Sequence, residues 1–88
     1  MKVKFESSFE KDLKLIKDAK LLQKLKSVII ECKNSDKLLD IKNLQKLKGY
    51  NTFYRIRIGN YRLGIEVEKD TLIFTRFLHR KDIYKFFP

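Results

Sequence analysis

One cysteine, one histidine, one proline and no tryptophan occur among the 88 residues of this chain. Each scarcity excludes something. A lone Cys32 rules out a disulfide framework and any cysteine-based metal site. On an apolar helix face it reads as a small packed residue in a reducing compartment. A single His79 cannot build a multi-histidine zinc site, and no Asp/Glu cluster has metal-ligand spacing, so no metal and no other cofactor is expected. The three glycines form no phosphate-cradling loop, and no serine or cysteine has an evident base partner. No apolar run approaches the length of a membrane span, and the opening M-K-V-K-F-E lacks the apolar core of a signal peptide. The reading is a cytoplasmic protein with no membrane partner.

Acid is also scarce: 11 Asp and Glu stand against 21 Lys and Arg, for a net charge of +10. Such a surplus suits a polyanion or an acidic protein partner. The lysines are spread along the chain, whereas the arginines sit together in its second half. With 43% hydrophobic residues and no low-complexity run, residues 1–88 read as one domain with one modest core. A chain of this size buries roughly 60–65% of its unfolded surface.

Lys2 to Glu6 alternates and predicts a short first strand. Ser7-Ser8-Phe9-Glu10 offers a capping box with Ser7 as N-cap, and Phe9, Leu13 and Ile16 continue a helix to about Lys17. Asp18-Ala19 breaks it. Leu21, Leu22, Leu25, Val28, Ile29 and Cys32 mark a second amphipathic helix ending near Asn34-Ser35. Ser35 to Leu47 predicts a short helical turn and an extended lead-in, and Gly49-Tyr50-Asn51 a turn. A hairpin strand then begins at Thr52 or Phe53, and Leu72 to Leu78 makes a final strand. The aromatic tail after His79 should fold back on the sheet. The expected fold class is α+β: a short N-terminal strand, an antiparallel two-helix hairpin, and an antiparallel sheet with a C-terminal three-stranded meander.

The hairpin Y-R-I-R-I-G-N-Y-R-L-G-I-E-V, residues 54–67, carries the functional argument. A two-residue turn at Gly59-Asn60 pairs Ile58 with Tyr61, Arg57 with Arg62, Ile56 with Leu63, and Arg55 with Gly64. The isoleucines and leucine face the helices, so Arg55, Arg57 and Arg62 face the other way, with two like charges directly opposed. That arrangement costs up to ~1 kcal/mol. It makes sense if a phosphate neutralises it, because guanidinium forks match phosphate oxygens and aromatic rings stack on unpaired bases. A two-residue turn at Lys69-Asp70 would pair Arg62 with Phe77 and bring His79 to the arginine face. Alternation would turn Arg80 away unless the strand ends there; Tyr84 would lie at the rim. The competing reading is a solvated strand face whose arginines pair with Glu66 or Glu68.

K-L-K-G-Y at 46–50, the hairpin at 54–67 and F-L-H-R-K-D-I-Y at 77–84 together resemble the RelE/ParE toxin superfamily, on its RelE side and especially archaeal RelE toxins. The order of elements agrees over nearly the whole chain. The resemblance implies a RelE-like single domain acting as the toxin of a type II toxin–antitoxin system. It would be a ribosome-dependent mRNA endoribonuclease that binds the ribosome and mRNA, cuts in the A site, and is silenced by a cognate acidic antitoxin. In that family the ribose 2′-OH attacks the adjacent phosphate without metal. By position, Arg62 would stabilise the phosphorane, Arg80 would assist charge stabilisation or leaving-group protonation, and Tyr84 would stack on the nucleotide. Arg57 would clamp the phosphate, with Lys48 and Arg55 as further RNA contacts. Arg55 and Arg57 stand where the best-studied members carry lysines, one of them proposed as general base. Arginine stays protonated in proteins and is a poor base. His79, with an intrinsic pKa near ~6.5, is one candidate for that role; catalysis by orientation and electrostatics alone is the other. The alternative function is a ParE-like toxin that inhibits DNA gyrase without nuclease activity. A third is a degenerate toxin kept as an antitoxin-binding partner.

Overall fold

Alternating apolar residues build a five-stranded sheet in the computed structural model, which describes residues 1–88. In chain order the elements are β1 (Lys2–Phe5), α1 (Ser7–Lys14), α2 (Ala19–Asn34), a 3-10 turn (Leu38–Asp40), β2 (Leu44–Lys46), β3 (Phe53–Ile58), β4 (Tyr61–Glu68), β5 (Thr71–His79) and the short α3 (Ile83–Phe86). The sheet order is β1-β5-β4-β3-β2. The expected meander β3-β4-β5 is present, and β2 extends it antiparallel to β3. β1 departs from the all-antiparallel expectation by pairing parallel with β5, Lys2 opposite Thr71 and Phe5 opposite Phe74. No helix is long and apolar enough to cross a membrane.

Both helices lie on one sheet face, α1 over β5 and α2 over β1 and β3. Phe9, Leu21, Leu25 and Cys32 meet Ile56, Ile58, Leu63, Ile65, Leu72, Phe74 and Phe77 in the main core. Each such fully buried side chain contributes ~1.5–3 kcal/mol. Burial, and secondarily Glu31, pushes the Cys32 thiol up to about 11, so it stays neutral and packs as an apolar group. Asp18 follows the break between the helices as the N-cap of α2: its Oδ1 accepts from the Lys20 and Leu21 amides at 3.0 and 3.2 Å. The capping box at Ser7 does not form. The β1 ladder runs on through the Glu6 amide, which donates to the Phe74 carbonyl, so Glu6 takes the cap position without a side-chain bond. The Ser8 hydroxyl instead donates to the Thr75 carbonyl at 2.6 Å.

Two irregularities set the geometry of the site. The first is a β-bulge in β5. Glu68 through Ile65 pair with Thr71 through Phe74, as the expected turn at Lys69-Asp70 requires, but Gly64 then pairs with Arg76. Thr75 is the extra residue, buried, with its hydroxyl donating to the Gly64 carbonyl at 3.0 Å. The bulge lets Phe74 and Phe77, three residues apart, enter the same core. Beyond the end of β1, Asp12 of α1 seals the exposed edge. Its carboxylate accepts from the Phe77 amide at 2.9 Å and from Arg76 Nε and Nη2 at 2.8 and 3.0 Å. This bidentate bond raises the Arg76 pKa above its ordinary value.

The second is the tail, which folds back as expected and makes a smaller core on the opposite face. Ile83 and Phe87 pack there with Leu47, Phe53 and Leu78. Phe87 sits on Gly64, where an added Cβ would stand 2.9 Å from the ring. Gly64→Ala should therefore push the tail off the sheet at a cost of about 1–3 kcal/mol. The expected readouts are a lower denaturant midpoint and loss of Phe87 contacts by NMR; unchanged Phe87 contacts would show that the ring yields without moving the tail.

Candidate active site

Inward packing of Ile56, Ile58 and Leu63 aims Arg55, Arg57 and Arg62 at the face opposite the helices. The β3–β4 register is the expected one: Ile58 opposite Tyr61, Arg57 opposite Arg62, Ile56 opposite Leu63, and Arg55 opposite Gly64. A positive φ at Gly59 closes the turn between them. Across β5, the bulge changes the outcome. Arg62 pairs with Leu78 rather than Phe77, and Tyr61 pairs with His79. The imidazole thus lies on the helix-side face, 5.6 Å from the Tyr61 ring, which itself lies 5.2 Å from Phe77. His79 is not brought to the arginines; its Nδ1 accepts from the Lys81 amide at 3.2 Å. By the same one-residue shift, Arg80 falls on the arginine side, anchored by its amide to the Asn60 carbonyl at 2.8 Å.

Electrostatics mark the same cluster. The ion pairs in the structure are Lys2–Asp70 and Arg76–Asp12, so none of Arg55, Arg57, Arg62 and Arg80 pairs with a carboxylate. Arg62 is held instead by the turn, its Nη1 donating to the Gly59 and Tyr61 carbonyls at 3.0 and 2.9 Å. Partial burial, then the nearby Arg57 and Arg55, and after them Arg80, lower its pKa from the ordinary arginine value, with Tyr84 acting in the opposite sense. It remains a cation. Arg55 has a buried Nη1 with no hydrogen-bond partner in the protein.

A groove of about 420 Å³ runs beside Arg55 and is lined by Gln45, Lys46, Lys48, Tyr50, Tyr84 and Phe87 among others. A second hollow, on the β2 side, joins Gln45 and Asn43 to Arg55 and Arg57. Neither has an Asp or Glu side chain in its wall. Lys48, Arg55 and Tyr84 therefore line one groove, and Tyr84 on α3 is exposed. Gln45, Lys46 and Tyr50 join them; Lys46 and Tyr50 belong to the K-L-K-G-Y stretch that carries the family resemblance, but nothing in the sequence gives them a place at the site. Tyr50 is placed by the turn at Gly49 (φ +87) and by its amide bond to the Leu47 carbonyl. Unneutralised guanidinium groups around a groove edged by exposed rings can hold a phosphodiester and an unpaired base, and can stabilise extra charge as it develops on phosphorus.

The family model described as the ParE toxin of the type II toxin–antitoxin system parDE matches residues 3–84. Toxin RelE3 of Methanocaldococcus jannaschii is 53% identical over the full length of both chains. The toxin in a RelB–RelE antitoxin–toxin complex from Methanococcus jannaschii superposes with a TM-score of 0.81 at 49% identity, covering 97% of this chain and 99% of that one. YafQ from Escherichia coli shares the fold at a TM-score of 0.66 and 19% identity, covering 93% of this chain and 96% of its own. The chain belongs to the RelE/ParE superfamily and is a RelE-like toxin of a type II toxin–antitoxin system.

Proposed function

We propose that this toxin is a ribosome-dependent endoribonuclease that cuts mRNA in the A site and stops translation, and that an acidic antitoxin silences it. The observation that carries the reading is the convergence of Arg55, Arg57, Arg62 and Arg80 without a single carboxylate partner. In the proposed reaction the 2′-oxygen attacks the adjacent phosphorus. The 2′-hydroxyl proton passes to solvent and the bond to the 5′-oxygen breaks, leaving a 2′,3′-cyclic phosphate and a 5′-alkoxide that takes up a proton to become the 5′-hydroxyl. Arg57 clamps the phosphate in the ground state. Arg62 faces the charge that grows on the non-bridging oxygens, and Arg80 faces the leaving oxygen. Tyr84 stacks on a base and fixes the nucleotide for in-line attack. With His79 on the other face, orientation and electrostatics carry the rate, and the ribosome supplies the alignment.

The test is primer extension on a translated message and on its untranslated counterpart during induced expression. Cuts confined to the translated message are expected. The matched family model is described as a ParE toxin, which favours a second reading as a gyrase inhibitor. Intact messages together with gyrase-dependent DNA breaks would establish that one.

A further inference from the structure

We infer that the groove beside Arg55 is a nucleotide subsite flanking the scissile phosphate, in which Tyr50 forms an aromatic wall against the base while Arg55 and Lys48 hold the phosphate. This rests on the nuclease reading above and extends it to the β2–β3 connection. Tyr50 and Tyr84 are exposed by 46% and 59%, yet both line one groove together with Arg55 and Lys48. Tyr50 is braced for such contact: its ring meets Phe53 edge-on at 5.5 Å and 84°, and Phe53 meets Phe87 the same way at 5.5 Å and 89°. A ring already held by packing loses little freedom when a base stacks on it. Arg55 has a buried Nη1 with no partner in the protein, so no acceptor holds its guanidinium in place, and a small rotation toward a phosphate would satisfy that donor. The groove volume of about 420 Å³ falls within the ~300–1,000 Å³ usual for small-ligand clefts. The absence of an acidic side chain from its wall suits an anion. Because stacking accepts every base, this subsite would hold the strand without dictating its sequence.

The experiment separates holding from cutting. Toxin is titrated against ribosomes programmed with a message carrying 2′-deoxy residues in the A-site codon, for binding, and with the all-ribose message, for single-turnover cleavage. Tyr50→Ala and Tyr50→Leu should each raise the half-saturating toxin concentration about tenfold, as expected for a lost base–aromatic stack. The plateau cleavage rate should change by less than about threefold. Tyr50→Phe, which keeps the ring, should bind within about twofold of the wild type. Leucine fills the space beside Phe53, so a binding loss in Tyr50→Leu with an unchanged denaturant midpoint cannot come from unfolding. If Tyr50→Leu binds as the wild type does, Tyr50 only covers Phe53 and the subsite is overturned. If the wild type never cleaves but its binding of the deoxy message depends on the Tyr50 ring, the subsite stands and the nuclease reading fails. If the wild type cleaves and the Tyr50 variants match it, the reading stands and the subsite fails.

Discussion

Arg62→Gln is expected to lower single-turnover cleavage of ribosome-bound mRNA by ~10²–10³, the usual loss when one donor aimed at developing charge is removed. Half-saturation should change far less than the plateau, because the interaction strengthens mainly as charge gathers on phosphorus. Stability should stay within about 1 kcal/mol of the wild type, for two opposing reasons. The variant gives up bonds to the Gly59 carbonyl, exposed in the turn, and to the Tyr61 carbonyl, partly buried at the start of β4. It also relieves the repulsion from Arg57 directly opposite, and from Arg55 and Arg80 nearby. Denaturant midpoint and cleavage are to be measured on the same preparation, with Arg57→Gln beside it. Retained stability with lost cleavage supports the site. Stability lost in proportion to activity would make the arginine face an ordinary surface.

Asp12→Ala should give the opposite pattern: a loss of about 3 kcal/mol in stability, with activity falling only as molecules unfold. Asp12 is 5% exposed, and its carboxylate is an acceptor for the buried Phe77 amide as well as the partner of Arg76. Truncation takes that acceptor from the buried amide, which alone costs ~1–3 kcal/mol. Arg76 keeps its contact with the Phe86 ring, 5.5 Å from the guanidinium carbon, and its side chain is 26% exposed, which limits the rest of the loss. Asp12→Asn retains one carbonyl acceptor and should lose about half as much. For a chain of this length the alanine variant should melt roughly 10–20 °C lower, with an unchanged urea m-value if folding remains two-state. A shift of less than about 1 kcal/mol would mean that water replaces the carboxylate at the sheet edge.

Period-two alternation was enough to read β3 and β4, and Gly59-Asn60 fixed their register, so Arg57 opposite Arg62 was legible before any coordinates. The last strand was legible as a strand, and the Lys69-Asp70 turn gave its register as far as Phe74, but beyond that the register depends on Thr75, and a bulge leaves no turn residue to announce it. In retrospect Leu72, Phe74 and Phe77 break the period: three large apolar residues can share one face only if a residue is skipped between the last two. That skip exchanged His79 for Arg80 at the site. β1 was legible as a strand but its partner was not, since nothing local distinguishes parallel pairing with β5 from an antiparallel edge. Tyr50 was legible in its motif but not as part of the site, because its turn reads as punctuation; only the packing of Phe53 and Phe87 behind it turns that punctuation into a wall.

The parallel pairing of β1 with β5 also bears on how the chain is made. The strand made earlier waits for one made much later: Lys2 cannot meet Thr71, nor Phe5 Phe74, until β5 itself has emerged. Closing so long a loop is entropically late and slow compared with the β3-β4-β5 meander, whose turns are local. Arg80 and Tyr84 lie further still toward the C-terminus. A nascent chain that stops short of β5 cannot dock its outer strand, and one that stops short of Arg80 and Tyr84 lacks part of the proposed cutting face, so the order of synthesis itself places the assembly of that face after the strand that closes the sheet.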